Sequence, residues 1–149
     1  MDIMYSSSKV SARLLVRVWS ATLAWAAYLK EWNGPSAGDR PSAYIVILTD
    51  KKISANADWD TGICCQSMLL GAVEKGLGGC IIASVNKPSL QQALNIPDTY
   101  EIVVVLALGK PKEHIVIEPV PASGDIRYWR DAKETHHVPK RSLEELIIG

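Results

Sequence analysis

The sequence predicts a domain of mixed helices and strands, either α+β or α/β, and three observations predict it. Apolar residues at helical spacing alternate along the chain with short runs rich in β-branched residues. Glycine and proline clusters separate these stretches. The resulting order is helix, strand, helix, strand, helix, strand. The 149 residues suit one compact domain. A 48% hydrophobic content is enough for an ordinary core without disulfide or metal support.

Taken in order, Ser6-Ser7-Ser8 marks a frayed start. Residues 9–32 read as one long helix or two short ones, carried by Val10, Leu14, Val18, Leu23 and Leu29 with Trp19 and Trp25. Arg13 and Arg17 interrupt this apolar stretch, which argues against both a secretion signal and a membrane span. Asn33-Gly34-Pro35 breaks the helix. Residues 43–49 are a β-branched run with apolar residues on both faces, predicting an interior strand of a covered sheet.

Asp58 is the expected N-cap of a helix running to about Lys75, with Gly76 as its C-cap. The body of that helix is apolar nearly all round, which predicts burial in a core or against a partner subunit. A second strand is expected over residues 80–84, and a short helix from Pro88 to Leu94. Residues 102–108 form the third and most apolar strand, closed by Gly109. Residues 115–117 read as extended. Tyr128-Trp129 and His136-His137-Val138 read as a polar hairpin. Ser142 opens a final helix to Ile148, with Glu145 completing a capping box.

The composition excludes several classes. Sixteen basic and sixteen acidic residues balance, so no basic excess points to nucleic acid. Cys64, Cys65 and Cys80 are odd in number and two are adjacent, a poor disulfide framework. They read as small buried hydrophobes in a reducing cytoplasm. Gly76-Leu77-Gly78-Gly79 lies between a helix and a strand, the reverse of a phosphate-binding glycine loop, and reads as a tight turn. His136 and His137, adjacent on a strand, point to opposite faces and make a poor metal site. No serine sits in a nucleophile elbow. Lys140-Arg141, before the last helix, is the one pair suited to an anion, because two cations and a helix N-terminus fit a phosphate; two solvated charges are the plain alternative.

Several stretches together resemble the nitroreductase family of flavoproteins. They are Leu23-Ala24-Trp25-Ala26-Ala27-Tyr28-Leu29, Arg40-Pro41-Ser42-Ala43-Tyr44, Asp60-Thr61-Gly62-Ile63, Gly76-Leu77-Gly78-Gly79-Cys80, Leu94-Asn95-Ile96-Pro97 and Ala107-Leu108-Gly109-Lys110-Pro111. Tyr128-Trp129-Arg130-Asp131 and Val138-Pro139-Lys140-Arg141-Ser142-Leu143 complete the set. The resemblance implies an α+β fold with a mixed sheet flanked by helices, and a homodimer binding FMN at its interface. It implies hydride transfer from NAD(P)H through the flavin to a nitroaromatic, quinone or similar acceptor, the cofactor supplying the chemistry. Carried over residue by residue, Ile81, Ile82, Ala83 and Ser84 would run along the isoalloxazine and offer backbone hydrogen bonds. Lys140 and Arg141 would hold the FMN phosphate. The family's usual N-terminal arginine segment has no match in residues 1–22, so the expectation is an atypical, partly helical segment there and a nitroreductase-like domain over 23–149, N-terminally shortened. The alternatives are a flavin-poor dimeric remnant without catalysis, or a small-molecule binding module using the same interfacial pocket. No metal, nucleic acid or membrane partner is expected.

Overall fold

A computed structural model describes residues 23, 28–29, 31–54 and 56–148. Its elements are β1 (Ala43–Asp50), α1 (Asp58–Glu74), β2 (Gly78–Ile82), α2 (Lys87–Leu94), β3 (Tyr100–Gly109), β4 (Ile115–Pro119), β5 (Trp129–Arg130), β6 (His136–Lys140) and α3 (Leu143–Leu146). The fold is α+β, as expected. The expected helix over residues 9–32 lies almost wholly outside the described residues. Leu23 is described: it is buried and bridges Val85.

The first sheet has the order β1-β3-β2 and is antiparallel throughout. β3 takes the centre because it is the longest and most apolar run, and a central strand is covered on both faces and both edges. The register along β1 shifts between Ile47 and Leu48, which pair with Val104 and Ile102, so Val103 is the extra residue of a bulge. The residues 43–49 run is therefore not interior: β1 is an outer strand among the described residues, and its apolar pattern reflects two half-covered faces.

Strand alternation sorts the side chains into two layers. Ile102, Val105 and Ala107 of β3, Ile82 of β2, and Tyr44, Val46 and Leu48 of β1 face one way. Leu90 and Leu94 of α2 close over them with Leu23. Ile81, Leu106 and Leu108 face the other way, where α1 lies with its Leu69 side chain over Gly79. Cys65 is the most buried residue of α1.

α1 corrects two expectations. Its N-cap is Ala57, with no side-chain cap; Asp58 is the first helical residue, and its N–H donates to Asn56 Oδ1 at 3.0 Å. Only Thr61, Cys65 and Ala72 are buried. Trp59, Ile63, Leu70 and Val73 are each more than half exposed and fall on one stripe of the helix. Burial all round was expected from composition; a single chain supplies only one covering layer. The cysteine reading is corrected likewise: Cys65 is buried, Cys64 is half-buried and Cys80 is exposed. Burial pushes the Cys65 thiol up, so it is protonated and unreactive there.

The glycine cluster divides its work. Gly76 has φ +70° and ends α1: its N–H donates to Val73 O and the Leu77 N–H donates to Ala72 O, each at 2.9 Å. Gly78 and Gly79 are not in the turn but in β2. A Cβ on Gly79 would sit 2.4 Å from the Ala107 carbonyl oxygen and 2.6 Å from Leu108 Cδ2. β2 thus begins two residues earlier than the sequence implied and ends at Ile82.

α2 begins at Lys87, capped by Asn86 Oδ1, which accepts from the Ser89 N–H at 3.2 Å. The second sheet has the order β4-β6-β5, with β4 and β6 parallel and β5 antiparallel to β6. The mixed character of the fold lies here. The hairpin expected around Tyr128-Trp129 and His136-His137-Val138 forms, with Trp129 opposite His137 and Arg130 opposite His136. α3 is a single turn, shorter than residues 142–148, and its capping box forms as expected.

Two substitutions test this packing by urea denaturation. Leu90 is 0% exposed, so Leu90→Ala is expected to cost about 2–5 kcal/mol. Gly79→Ala is expected to cost about 1–3 kcal/mol, because the added methyl meets backbone that cannot yield. An unchanged midpoint for either would show that the α2 layer or the close β2–β3 approach at Gly79 is misplaced.

Candidate functional site

The residues expected to contact a cofactor fall on two separate elements. Ile81 and Ile82 close β2, an outer strand of its sheet, so alternate backbone N–H and C=O groups along it face away from β3. Their side chains point to opposite faces. Ile82 is 7% exposed and belongs to the core, while Ile81 is 45% exposed on the α1 side. Ile82 can therefore meet a ligand through its backbone and not through its side chain. Ala83 and Ser84 lie beyond the strand and are exposed. The Ala83 carbonyl already accepts from the Val85 N–H at 2.9 Å, which bends the chain back toward α2 and commits that oxygen.

Lys140 ends β6 in register with Pro119, and its carbonyl accepts from the Val120 N–H at 3.2 Å. Arg141 follows it, and both side chains are exposed. Neither takes part in an ion pair among the described residues. The helix N-terminus beside them is less open to an anion than its sequence implied. Ser142 Oγ accepts from the Glu145 N–H at 3.3 Å, and Glu145 Oε2 accepts from the Ser142 N–H at 2.9 Å. Two donors are thus taken, and Glu144 and Glu145 place negative charge in the first turn. Hydrogen bonding to its own backbone N–H and to Ser142 holds the Glu144 carboxyl below its ordinary range. Anion binding at this end of β6 rests on the two cations alone.

A second cluster was not foreseen. Its centre is His137, whose side chain is 14% exposed. Nδ1 lies 2.5 Å from Glu118 Oε1 on β4, and Nε2 lies 3.7 Å from Asp131 Oδ2. Trp129 stacks on the ring at 4.0 Å with planes 5° apart. Beside it, Arg130 pairs with Glu113 and, at 3.7 Å, with Glu134. The Arg130 guanidinium lies over Trp32, 4.6 Å from the ring centroid. Tyr128 stacks on His136 at 5.2 Å and meets Tyr28 at 4.9 Å. The sequence signal for this cluster was only the hairpin pattern; the parallel pairing of β4 with β6 that delivers Glu118 has no local signature. Among the described residues no group of three or more His, Cys, Asp or Glu is arranged to hold a metal.

Comparison with known proteins identifies the family. A sequence model of the nitroreductase family matches residues 5–110, more than half of the chain, and the chain belongs to that family. The matched stretch takes in most of the segment before residue 23 and ends before β4. Among solved structures, the chain is 27% identical to nitroreductase A from Vibrio parahaemolyticus, with a TM-score of 0.46 over 56% of this chain and 43% of that one. It is 24% identical to the NADPH:FMN oxidoreductase from Vibrio harveyi, with a TM-score of 0.46 over 56% of this chain and 44% of that one. It is 19% identical to the FMN and NADPH-dependent nitroreductase NfnB from sphigopyxis sp. strain HMH, with a TM-score of 0.49 over 71% of this chain and 41% of that one. The chain spans less than half the length of each of these proteins.

The hairpin turn carries a pH-dependent prediction. Asp131 Oδ1 accepts from the N–H groups of Lys133 and Thr135, both at 2.8 Å. The Thr135 bond first, and then the Lys133 bond, hold the Asp131 carboxyl below its ordinary range. A depressed carboxylate stabilises the fold above its unfolded-state value and loses that contribution as pH falls through its folded value. Asp131→Ala is thus expected to melt at a lower temperature than the parent at neutral pH, with the gap narrowing on acidification. A gap that widens toward acid would show that the carboxylate form is not the one holding the turn.

Proposed function

We propose that this chain contributes to an FMN-dependent oxidoreductase that takes a hydride from NAD(P)H and reduces a nitroaromatic, quinone or similar acceptor. Membership of the nitroreductase family over residues 5–110 carries this reading. When bound, FMN would supply the redox chemistry.

The residues present suit such a group. The outer edge of β2 at Ile81 and Ile82, followed by the exposed Ala83 and Ser84, offers main-chain groups to a flat heteroaromatic ring. Lys140 and Arg141, free of ion pairs among the described residues, supply positive charge for the phosphate. Arg141 adds a planar fork of donors suited to phosphate oxygens.

A homodimer completes the reading. Trp59, Ile63, Leu70 and Val73 make an exposed apolar stripe along α1, the kind of surface a second copy covers. No helix among the described residues is long and apolar enough to cross a membrane. With three free cysteines, the chain fits a reducing cytoplasm.

Purified protein is expected to release FMN on denaturation, or to take it up on incubation. A colourless protein that acquires no flavin would favour the flavin-poor remnant instead. Arg141→Ala is expected to weaken FMN binding by about 1.5–3 kcal/mol, the scale of a lost hydrogen bond to a charged group. Unchanged affinity would mean that the phosphate lies elsewhere. In sedimentation velocity at micromolar concentration the parent is expected to run as a dimer and Leu70→Glu as a monomer. A monomeric parent would refute the interface.

A further inference from the structure

We propose that Glu118, His137 and Asp131 form a brace, closed by a proton on His137, that fixes β6 and thereby sets the direction in which Lys140 and Arg141 leave the sheet. The second half of this inference rests on reading those two residues as phosphate contacts; the brace itself does not.

The geometry points to a ring that is complete only with two protons. Both nitrogens of His137 face a carboxylate: Glu118 Oε1 at 2.5 Å from Nδ1, and Asp131 Oδ2 at 3.7 Å from Nε2. Nδ1 carries the proton that goes to Glu118, since an ionised carboxylate only accepts. Nε2 is buried with no hydrogen-bond partner among the described residues. In the neutral ring its lone pair looks toward a second acceptor. A proton there turns repulsion into attraction, and 3.7 Å closes to a hydrogen bond with a small movement of the Asp131 side chain.

The surrounding charges agree. Arg130, next to Asp131 in the chain, is already engaged by Glu113 and Glu134. Glu118 and Asp131 are left to His137. Lys133 and Thr135 meet Asp131 through their backbone N–H groups. His136, opposite Arg130, is turned to Tyr128. Two cations thus answer four carboxylates when His137 is charged, and one cation answers them when it is not. Trp129 covers the ring at 4.0 Å, a face that attracts an imidazolium more than an imidazole.

The brace ties together three places: β4 through Glu118, the β5–β6 turn through Asp131, and β6 through His137 itself. Lys140 is three residues further along the same strand. Among the described residues β5 pairs only with the first two residues of β6, so the strand beyond His137 is held there on one side, by β4. What anchors His137 therefore governs how firmly the end of β6 is placed. Histidine is the side chain that ordinarily exchanges a proton between about pH 5 and 8, and that is the range over which the brace is to be probed.

Hydrogen exchange of the β6 amides across that range, corrected for intrinsic exchange, tests the brace without any ligand. In the parent, protection of residues 136–138 and 140 is expected to fall about tenfold as pH rises and the brace opens, the scale of one charge-assisted hydrogen bond. Amides of β1 and β3 are expected to hold steady. His137→Gln, which keeps one hydrogen bond and cannot be charged, is expected to show a flat β6 profile at the lower level. A parent profile that is flat, or a Gln variant that keeps the parent's pH dependence, overturns the brace. If the Gln variant does not fold, the His137 ring resonance in the parent is followed by NMR through the same range. A ring titration that does not coincide with the change in β6 protection overturns it equally. FMN affinity measured in parallel reads the second half. An affinity that weakens with rising pH in the parent and not in His137→Gln supports the link to Lys140 and Arg141. No flavin binding at any pH, with the exchange result intact, rejects the phosphate reading and leaves the brace standing.

Discussion

The position of β3 is the constraint on which the rest depends. Ile102, Val105, Leu106 and Ala107 are buried between β1 and β2, and no other stretch of the described chain is as continuously apolar. A strand covered on both edges and both faces needs two flanking strands and two layers of helix. The chain supplies α2 with Leu90 for one face and α1 with Leu69 for the other. The close approach of the β3 backbone at Ala107, with Leu69 of α1 lying over the same spot, forces glycine at position 79, and the sharp exit from the helix uses Gly76. Among the described residues β2 then lies at the edge of its sheet, with backbone groups that face away from β3.

The second sheet works by different physics. It buries little apolar surface, and three of the four exposed positions along β4 and β5 are Ile115, Ile117 and Trp129. Cohesion there comes from stacked rings and paired charges: Trp129 on His137, Tyr128 on His136, and Arg130 between Trp32 and its two carboxylates. Lys140 and Arg141, the two cations proposed for a phosphate, emerge from this unit, while the proposed ring contacts at residues 81–84 lie on the other sheet.

Much of the fold was legible because its signals are local. β-branched runs gave β1 and β3, Asn95 and Gly76 gave helix ends, and Ser142 with Glu145 gave a capping box that forms as read. What was missed depended on contacts far apart in sequence. The start of β2 at Gly78 is set by pairing with Gly109, not by its own residues, since glycine carries no strand preference. The outer placement of β1 is invisible in a pattern that is apolar on both faces. Whether α1 is buried all round depends on which layers cover it, and its own composition does not say which. In the site, Lys140 and Arg141 could be picked out as an anion pair, but the acidic first turn of α3 changes what surrounds them. The His137 cluster escaped because Glu118 arrives through a parallel pairing and Asp131 through a turn, so adjacency of His136 and His137 drew attention to metal geometry instead.

We propose that the end of β2 and the end of β6 hold the same molecule, and hydrogen exchange of the protein with and without saturating FMN tests this most directly. Slowed exchange at residues 81–84 and at residues 140–141 together is the predicted result. Slowing at only one of the two, or only at sites remote from both, would contradict it.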